Sequence, residues 1–408
     1  MATVVCVWEM GSNLGHLGNL KQVAQRAIND GHTAWIVAKD LERVHQVFDG
    51  LPVEFLQAPA LRTQSSAHPI TLSFSQLIRN TSYRSREDLC TYIRAWRTLF
   101  QLIGPDAVFF DHSPLALAAS WGLEFKKVLM GNGFTLPPTQ TALFGVFPYS
   151  EFTEEQFATV RKAEYELLQD LAGVYRRLAI SPITQVADIY RQADSIVRLT
   201  IAEFDHFGAR PVGGYVGVWP SFGGAKAIWK TSNKRRVFAY LQPFEKLPLL
   251  LSQLAQAEIE VLVYSPTLNP ADRDRLSTPF ISFSDEPLDL RQVSESVDFA
   301  VTHGNHDTSV QLSLLGIPLM TIPRHQEQYF FSIRHEQQGF GVVCYQDQEC
   351  YKDAIRTLAE GQESRRKVVS LAQRYGCMVE QGAGALLDEI VAALSKNDLD
   401  RRIEIEEK

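Results

Sequence analysis

The sequence predicts an α/β protein of two doubly wound parallel-sheet domains, and three observations carry the prediction. Short β-rich apolar runs alternate with segments of helical periodicity from the first residues onward. The alternation breaks between Gly208 and Gly224, where six glycines and two prolines fall within seventeen residues, a density that neither helix nor strand interiors tolerate well. It then restarts. At 408 residues, 45% of them apolar, the chain exceeds what one core normally organises and has material for two.

Taken in order, Thr3 to Trp8 is a strand by its β-branched, apolar character, and a glycine-bearing turn follows it. Leu17, Leu20, Ala24, Ala27 and Ile28 then recur at helical spacing, Gly31 stands where a helix C-cap belongs, and Thr33 to Ala38 is again strand-like. This is a βαβ unit. Ala107 to Phe110 is a strand running into Asp111, and Lys127 to Met130 one running into the turn Gly131-Asn132-Gly133. Beyond the glycine-rich segment, Val237 to Leu241 reads as strand, Leu247 to Ala257 as helix and Ile259 to Tyr264 as strand. Phe299 to Thr302 is the next strand, Ser309 to Leu315 a helix ended by Gly316, and Ile317 to Ile322 another strand. Leu386 to Ser395 is amphipathic and gives way to a charged end. The expected domains are therefore 1–207 and 237–408, joined by a linker over 208–236, with a last helix able to pack back on the first domain.

Forty basic residues against 47 acidic ones leave no overall positive field, so nucleic acid is not an expected partner. No basic residue precedes the first apolar stretch, and Gly11, Ser12 and Asn13 interrupt it, which fits a strand better than a signal peptide. No run approaches the roughly 18 apolar residues of a membrane-spanning helix, although peripheral membrane contact stays compatible with the sequence. The five cysteines (Cys6, Cys90, Cys344, Cys350, Cys377) are scattered and lack C-x-x-C spacing, so reduced thiols and a cytoplasmic location are expected. No metal cluster is apparent.

Two constellations carry chemistry. The first is the turn Gly11-Ser12-Asn13-Leu14-Gly15-His16-Leu17-Gly18-Asn19. Its glycines lack the G-x-G-x-x-G spacing of a dinucleotide site. It instead puts His16 at the mouth of a parallel sheet, where open α/β sheets bind ligands, and an imidazole with a pKa of about 6.5 suits proton removal from a hydroxyl. Asp111, at the end of another strand, is placed to hold one ring nitrogen if the two strands are neighbours. The plainer alternatives are a helix-start residue for His16 and a turn or N-cap role for Asp111 before Ser113 and Pro114; His112 competes for the orienting role.

The second is Thr302-His303-Gly304-Asn305-His306-Asp307-Thr308, which follows a strand and opens a helix. A helix N-terminus offers unpaired N–H groups and partial positive charge to a diphosphate. Thr308 adds a hydroxyl donor, and His303 a ring for contact with phosphate. Glu327 and Gln328, after Pro323-Arg324-His325-Gln326, are expected near a second strand end, holding sugar hydroxyls. Alternatively Asp307 or Thr308 merely caps the helix and His303 is a satisfied interior residue.

The run from His303 to Gln328 resembles the donor-binding motif of UDP-glycosyltransferases and their macrolide and antibiotic glycosyltransferase relatives, H-G-G-x-G-T-x-x-E-A-L-x-x-G-x-P followed by P-x-x-x-D-Q. His303, Gly304, Thr308, Gly316, Pro318, Pro323 and Gln328 match it without a gap. Gly15-His16 is similar to the family's G-H-x-x-P loop, and Asp111 falls where the family keeps an aspartate. The resemblance implies the GT-B fold, two Rossmann-like domains facing a central cleft. It implies inverting, metal-independent transfer of a sugar from a UDP- or dTDP-type donor to an acceptor hydroxyl, with His16 as base and Asp111 as its orienting partner. The donor residues it implies are His303, Gly304, Asn305, His306, Asp307, Thr308, Gln311, Glu327 and Gln328. No cofactor is implied beyond the nucleotide-sugar co-substrate. The chain departs from the pattern at Asn305 and Asp307 in place of glycines, Gln311 for glutamate, Glu327 for aspartate and Asn19 for proline. Asp307 sets a negative charge where phosphate would lie, so a non-catalytic nucleotide-sugar-binding protein and a nucleotide-sugar epimerase or hydrolase remain alternatives. The aromatic stretch Phe134, Phe144, Phe147, Tyr149, Phe152 and Phe157 is either an apolar or lipid-like acceptor cleft or ordinary core packing.

Overall fold

A computed structural model of the chain describes residues 1–11, 15–42, 44–61, 71–148, 151–210, 214–219, 223–230, 235–376, 378, 384, 387–388 and 391. The chain divides into two compact units, one of Met1–Leu199, Pro211–Tyr215 and Gly384–Lys408, the other of Thr200–Arg210 and Val216–Ala383.

The first unit is built on seven parallel strands, β1 (Thr3–Trp8), β2 (Thr33–Ala38), β3 (Glu54–Gln57), β4 (Ala107–Asp111), β5 (Lys126–Gly131), β6 (Ser195–Arg198) and β7 (Gly214–Tyr215). Their order is β3-β2-β1-β4-β5-β6-β7, so the chain runs outward from β1 and returns to its other side with β4. That reversal is a topological switch point, where the crevice beyond the strand ends takes ligands. Every residue of β4 is buried, as expected of a parallel strand covered on both faces. The covering helices include Gly15–Asn29, Arg86–Ile103 and Glu154–Arg177. The last two each begin in a reciprocal capping box, Ser85 with Asp88 and Thr153 with Gln156.

The second unit repeats the plan with β8 (Arg236–Tyr240), β9 (Glu260–Tyr264), β10 (Ile281–Ser284), β11 (Phe299–Thr302), β12 (Leu319–Thr321) and β13 (Gly341–Val343), in the order β10-β9-β8-β11-β12-β13. Alternate residues of one strand feed cores on opposite faces: Val237 and Ala239 of β8 pack with Val261, Val263 and Val301, whereas Phe238 packs with Leu262, Ala300 and Leu312. Its switch point lies between β8 and β11.

One expectation is corrected here. The helix placed at Ser309 begins at His306, so the whole motif from His306 onward is helical. Glu327 and Gln328 stand beyond the end of β12, in the first turn of a helix, Gln326–Gln337. Of the tail, Asp388 ion-pairs with Arg26 of the helix Gly15–Asn29 and Val391 is buried; most of the expected last helix, like part of the glycine-rich segment, lies outside the described residues. Cys6, Cys90, Cys344 and Cys350 are free thiols, and Cys377 lies outside the described residues. No described helix is long and apolar enough to cross a membrane.

Candidate functional site

Each switch point carries one of the two constellations. In the first unit β1 ends at Trp8 and β4 at Asp111, and these two residues are register partners, so their side chains leave the sheet on the same face. The helix Gly15–Asn29 starts just beyond, placing His16 over that edge. His16 Nδ1 lies 2.9 Å from Asp111 Oδ1, joining residues 95 apart in sequence. The Asp111 side chain is 1% exposed and that of His16 16% exposed, which leaves the imidazole the accessible member of the pair. An ionised carboxylate only accepts hydrogen bonds, so Nδ1 carries the hydrogen and Nε2 is the basic nitrogen of the neutral ring. Gly11 has φ +92°, and a Cβ built there would stand 2.6 Å from His16 Nε2, so both backbone and space require glycine. Ser12 to Leu14 lie outside the described residues.

The side chains around the pair divide the remaining work. The Trp8 ring lies against His16 at 5.6 Å between centroids and 21° between planes, and His112 lies at 5.8 Å and 37°. His112 sits in the left-handed region (φ +46°), and its backbone oxygen accepts from Met10 N–H at 3.0 Å. Burial, then the neighbouring His16 and Lys39 charges, hold its basicity well below the ordinary 6.5, so its ring is neutral. Asp111 is not a helix cap: Ser113 occupies the N-cap of the helix Pro114–Ala119, and the first-turn N–H groups of Leu115 and Ala116 donate to Glu9, at 3.0 and 2.9 Å. Burial pushes the Glu9 carboxyl up to about 8 despite those two donors and Lys39. Lys39 Nζ in turn donates to Gly11 O at 3.0 Å. Glu9 and Lys39 thus tie down the two loops that carry the pair. Sequence reasoning did not single out either; the one available sign was a carboxylate immediately after an apolar strand.

The aromatic stretch resolves into packing. Phe134, Phe144 and Phe147 are buried and cluster with Phe74 and Tyr190, at 5.1 to 6.5 Å between ring centroids, beside His112. Phe152 and Phe157 pack on each other. Tyr149 lies outside the described residues.

In the second unit His303 follows β11 and is 1% exposed. Its Nδ1 donates to Ile322 O at 2.7 Å, beyond β12, and its Nε2 accepts from Gln242 N–H at 2.8 Å, beyond β8. One ring therefore ties together the ends of three strands, and burial pushes its basicity down to about 4. Gly304, at φ +78°, lets the loop press on the helix Gln326–Gln337: a Cβ there would meet Ser332 Oγ at 2.7 Å and Gln328 O at 3.0 Å. Asn305 is the N-cap of the helix His306–Leu314 but makes no side-chain cap bond. His306 is buried, with Nδ1 3.1 Å from Asp307 Oδ1 and Nε2 2.9 Å from Thr200 Oγ1. Asp307 and Thr308 are half-buried in the first turn, and Gln311 is buried one turn on. Gln328 accepts from Arg324 N–H at 2.9 Å and reaches Asn305 Oδ1 at 3.5 Å, which brings the two halves of the motif together. Glu327 is half-buried beside it, and the ring of His206 is buried nearby. His206 stacks on His306 at 5.5 Å and was not singled out in the sequence.

No protein-family model and no curated protein matches the sequence. Solved structures match the fold. The calicheamicin glycosyltransferase CalG4 is similar over 97% of this chain and 98% of its own, at 16% identity and a TM-score of 0.70. The spinosyn rhamnosyltransferase SpnG, in complex with spinosyn aglycone, covers 96% of this chain with 100% of its own, at 18% identity and a TM-score of 0.63. The glycosyltransferase VinC, in complex with dTDP, covers 97% of this chain with 100% of its own, at 12% identity and a TM-score of 0.62. These likenesses establish the two-sheet GT-B architecture of the chain.

Proposed function

We propose that the protein is an inverting, metal-independent glycosyltransferase that moves a sugar from a nucleotide-diphosphate donor of UDP or dTDP type to an acceptor hydroxyl. The observation that carries the reading is the His16–Asp111 pair, 2.9 Å apart at a sheet switch point on this fold. His16 Nε2 takes the acceptor's proton while the acceptor oxygen attacks the anomeric carbon. The bond from that carbon to the diphosphate breaks, and its electron pair leaves with the nucleotide. Asp111 keeps the imidazole in the required tautomer and offsets the charge of the imidazolium.

The donor is assigned to the second unit. The start of the helix His306–Leu314, its first-turn N–H groups uncapped by the Asn305 side chain, and the Thr308 hydroxyl are suited to the diphosphate. His303, Gly304 and Gln328 shape that loop, with Gln311 and Glu327 on the ribose and sugar side. Two of the similar structures hold thymidine diphosphate, which supports the dTDP type of donor. The acceptor is proposed to be a small apolar alcohol, the class to which the aglycone bound by one neighbour points.

Calorimetric titration with UDP, dTDP and GDP, repeated on Thr308→Ala, tests the donor site. One nucleotide should bind and the substitution should weaken it; absence of binding to all three would remove the transferase reading. Turnover should survive EDTA, and loss of it restored by magnesium or manganese would refute metal independence. Asp307, whose carboxylate shares the first helical turn, favours a second reading as a nucleotide-sugar-binding protein without turnover. Saturable donor binding with no product for any acceptor, and no donor hydrolysis, would select it.

A further inference from the structure

Trp8 combines three features that packing alone does not require. It is 3% exposed, its indole N–H donates to Met10 O and so fixes the ring plane, and its face lies nearly parallel to His16 at 5.6 Å. It is also the register partner of Asp111, so the residue that grips the edge of the imidazole and the residue that covers its face sit side by side on adjacent strands. A protonated imidazole is a planar cation, and the indole is the aromatic face that attracts cations most strongly. His112, whose ring centroid is 5.8 Å from that of His16, is neutral and adds no opposing charge.

We propose that Trp8 is a positioning residue of the reaction: its indole holds the His16 ring in the plane that Asp111 needs and stabilises the imidazolium as the acceptor proton arrives, a role that rests on His16 acting as the base. The stack makes the transition state, in which the positive charge develops, the main beneficiary, and leaves substrate binding almost untouched. Among the described residues, the other charged or titratable groups around the ring are Asp111 on Nδ1, His112 at 5.8 Å between ring centroids, Lys39 on the Gly11 carbonyl and Glu9 on the Leu115 and Ala116 amides. None of them is altered by a change confined to the electron density of the indole.

Such a change is made by installing tryptophans of increasing fluorine number at position 8 alone, which drains the aromatic face while hardly changing its shape. The expected result is a stepwise fall in kcat, reaching about fivefold, or about 1 kcal/mol at 25 °C, with KM for donor and acceptor within about twofold. The titration of the His16 ring, followed by NMR of labelled histidine without substrate, should move to lower pH along the same series. Trp8→Phe should fall within the range of the series and Trp8→Leu below it. A titration that stays fixed across the series overturns the proposal, and so does one that moves while kcat does not. If no donor and acceptor pair turns over even with native Trp8, the proposed transferase function fails, while the titration still decides whether the indole stabilises the cation.

Discussion

His16 and His303 each stand at a sheet switch point, His16 in the helix that follows β1 and His303 directly after β11, the second unit's counterpart of β4, yet the structure uses them in opposite ways. His16 is partly exposed and holds a carboxylate through one nitrogen, so a proton arriving at the other is electrostatically matched. His303 is buried with both nitrogens on backbone groups, a setting in which protonation would give up the bond from Gln242 N–H, leave only the Gln242 oxygen at 3.2 Å to accept from Nε2, and place a charge away from water. The partner, more than the residue type or the motif around it, decides whether a histidine exchanges protons or braces loops. In this conformation the second unit's histidine is a brace.

The sharpest way to break that contrast is to remove each ring. His16→Ala should lower kcat by about a thousandfold while dTDP or UDP affinity stays within about twofold; an equal loss of both would make His16 a binding residue. Asp111→Asn should cost about a hundredfold in kcat, and the double variant should be no slower than His16→Ala alone, since the two act as one unit. Additive losses would mean that Asp111 works elsewhere. His303→Phe leaves the Ile322 oxygen and the Gln242 N–H unpaired and should cost about 2 to 4 kcal/mol of stability, read by denaturant unfolding. Weaker nucleotide binding at unchanged stability would instead put His303 on the phosphate.

The pH dependence of stability sharpens the comparison further. The Glu9 carboxyl is raised from 4.5 to about 8, so its folded state holds the proton better than the unfolded chain. Its contribution is complete below 4.5 and is lost as pH rises through about 8. His303 is lowered from 6.5 to about 4, so its contribution is complete above 6.5 and is lost as pH falls toward 4. Glu9→Gln should therefore flatten the alkaline decline in Tm and leave the acid side alone, whereas His303→Phe should flatten the acid side only. A Glu9→Gln variant with the native alkaline slope would place the titrating group elsewhere.

The parts of this design legible in the sequence are those encoded locally. β1, β2 and β11 follow from apolar β-branched runs, and His16 and Asp111 could be paired because each stands at a strand end. The helix Gln326–Gln337 was illegible because His325 gives it no side-chain cap and because Gln328, Ser332 and His335 are buried along with Phe330 and Phe331, so no polar and apolar faces separate. β7 and β13, of two and three residues, are too short to show a period. Trp8, Glu9 and Lys39 were invisible for another reason: their roles arise only once register and long-range hydrogen bonds bring distant loops together.

The pairing of Trp8 with Asp111 across β1 and β4 also bears on how errors in folding are contained. A slip of one residue between these strands would turn one of the two side chains to the opposite face, so His16 would lose either its aromatic cover or its carboxylate. A misaligned sheet would then be chemically silent, and only chains that have found the correct alignment would acquire a reactive imidazole.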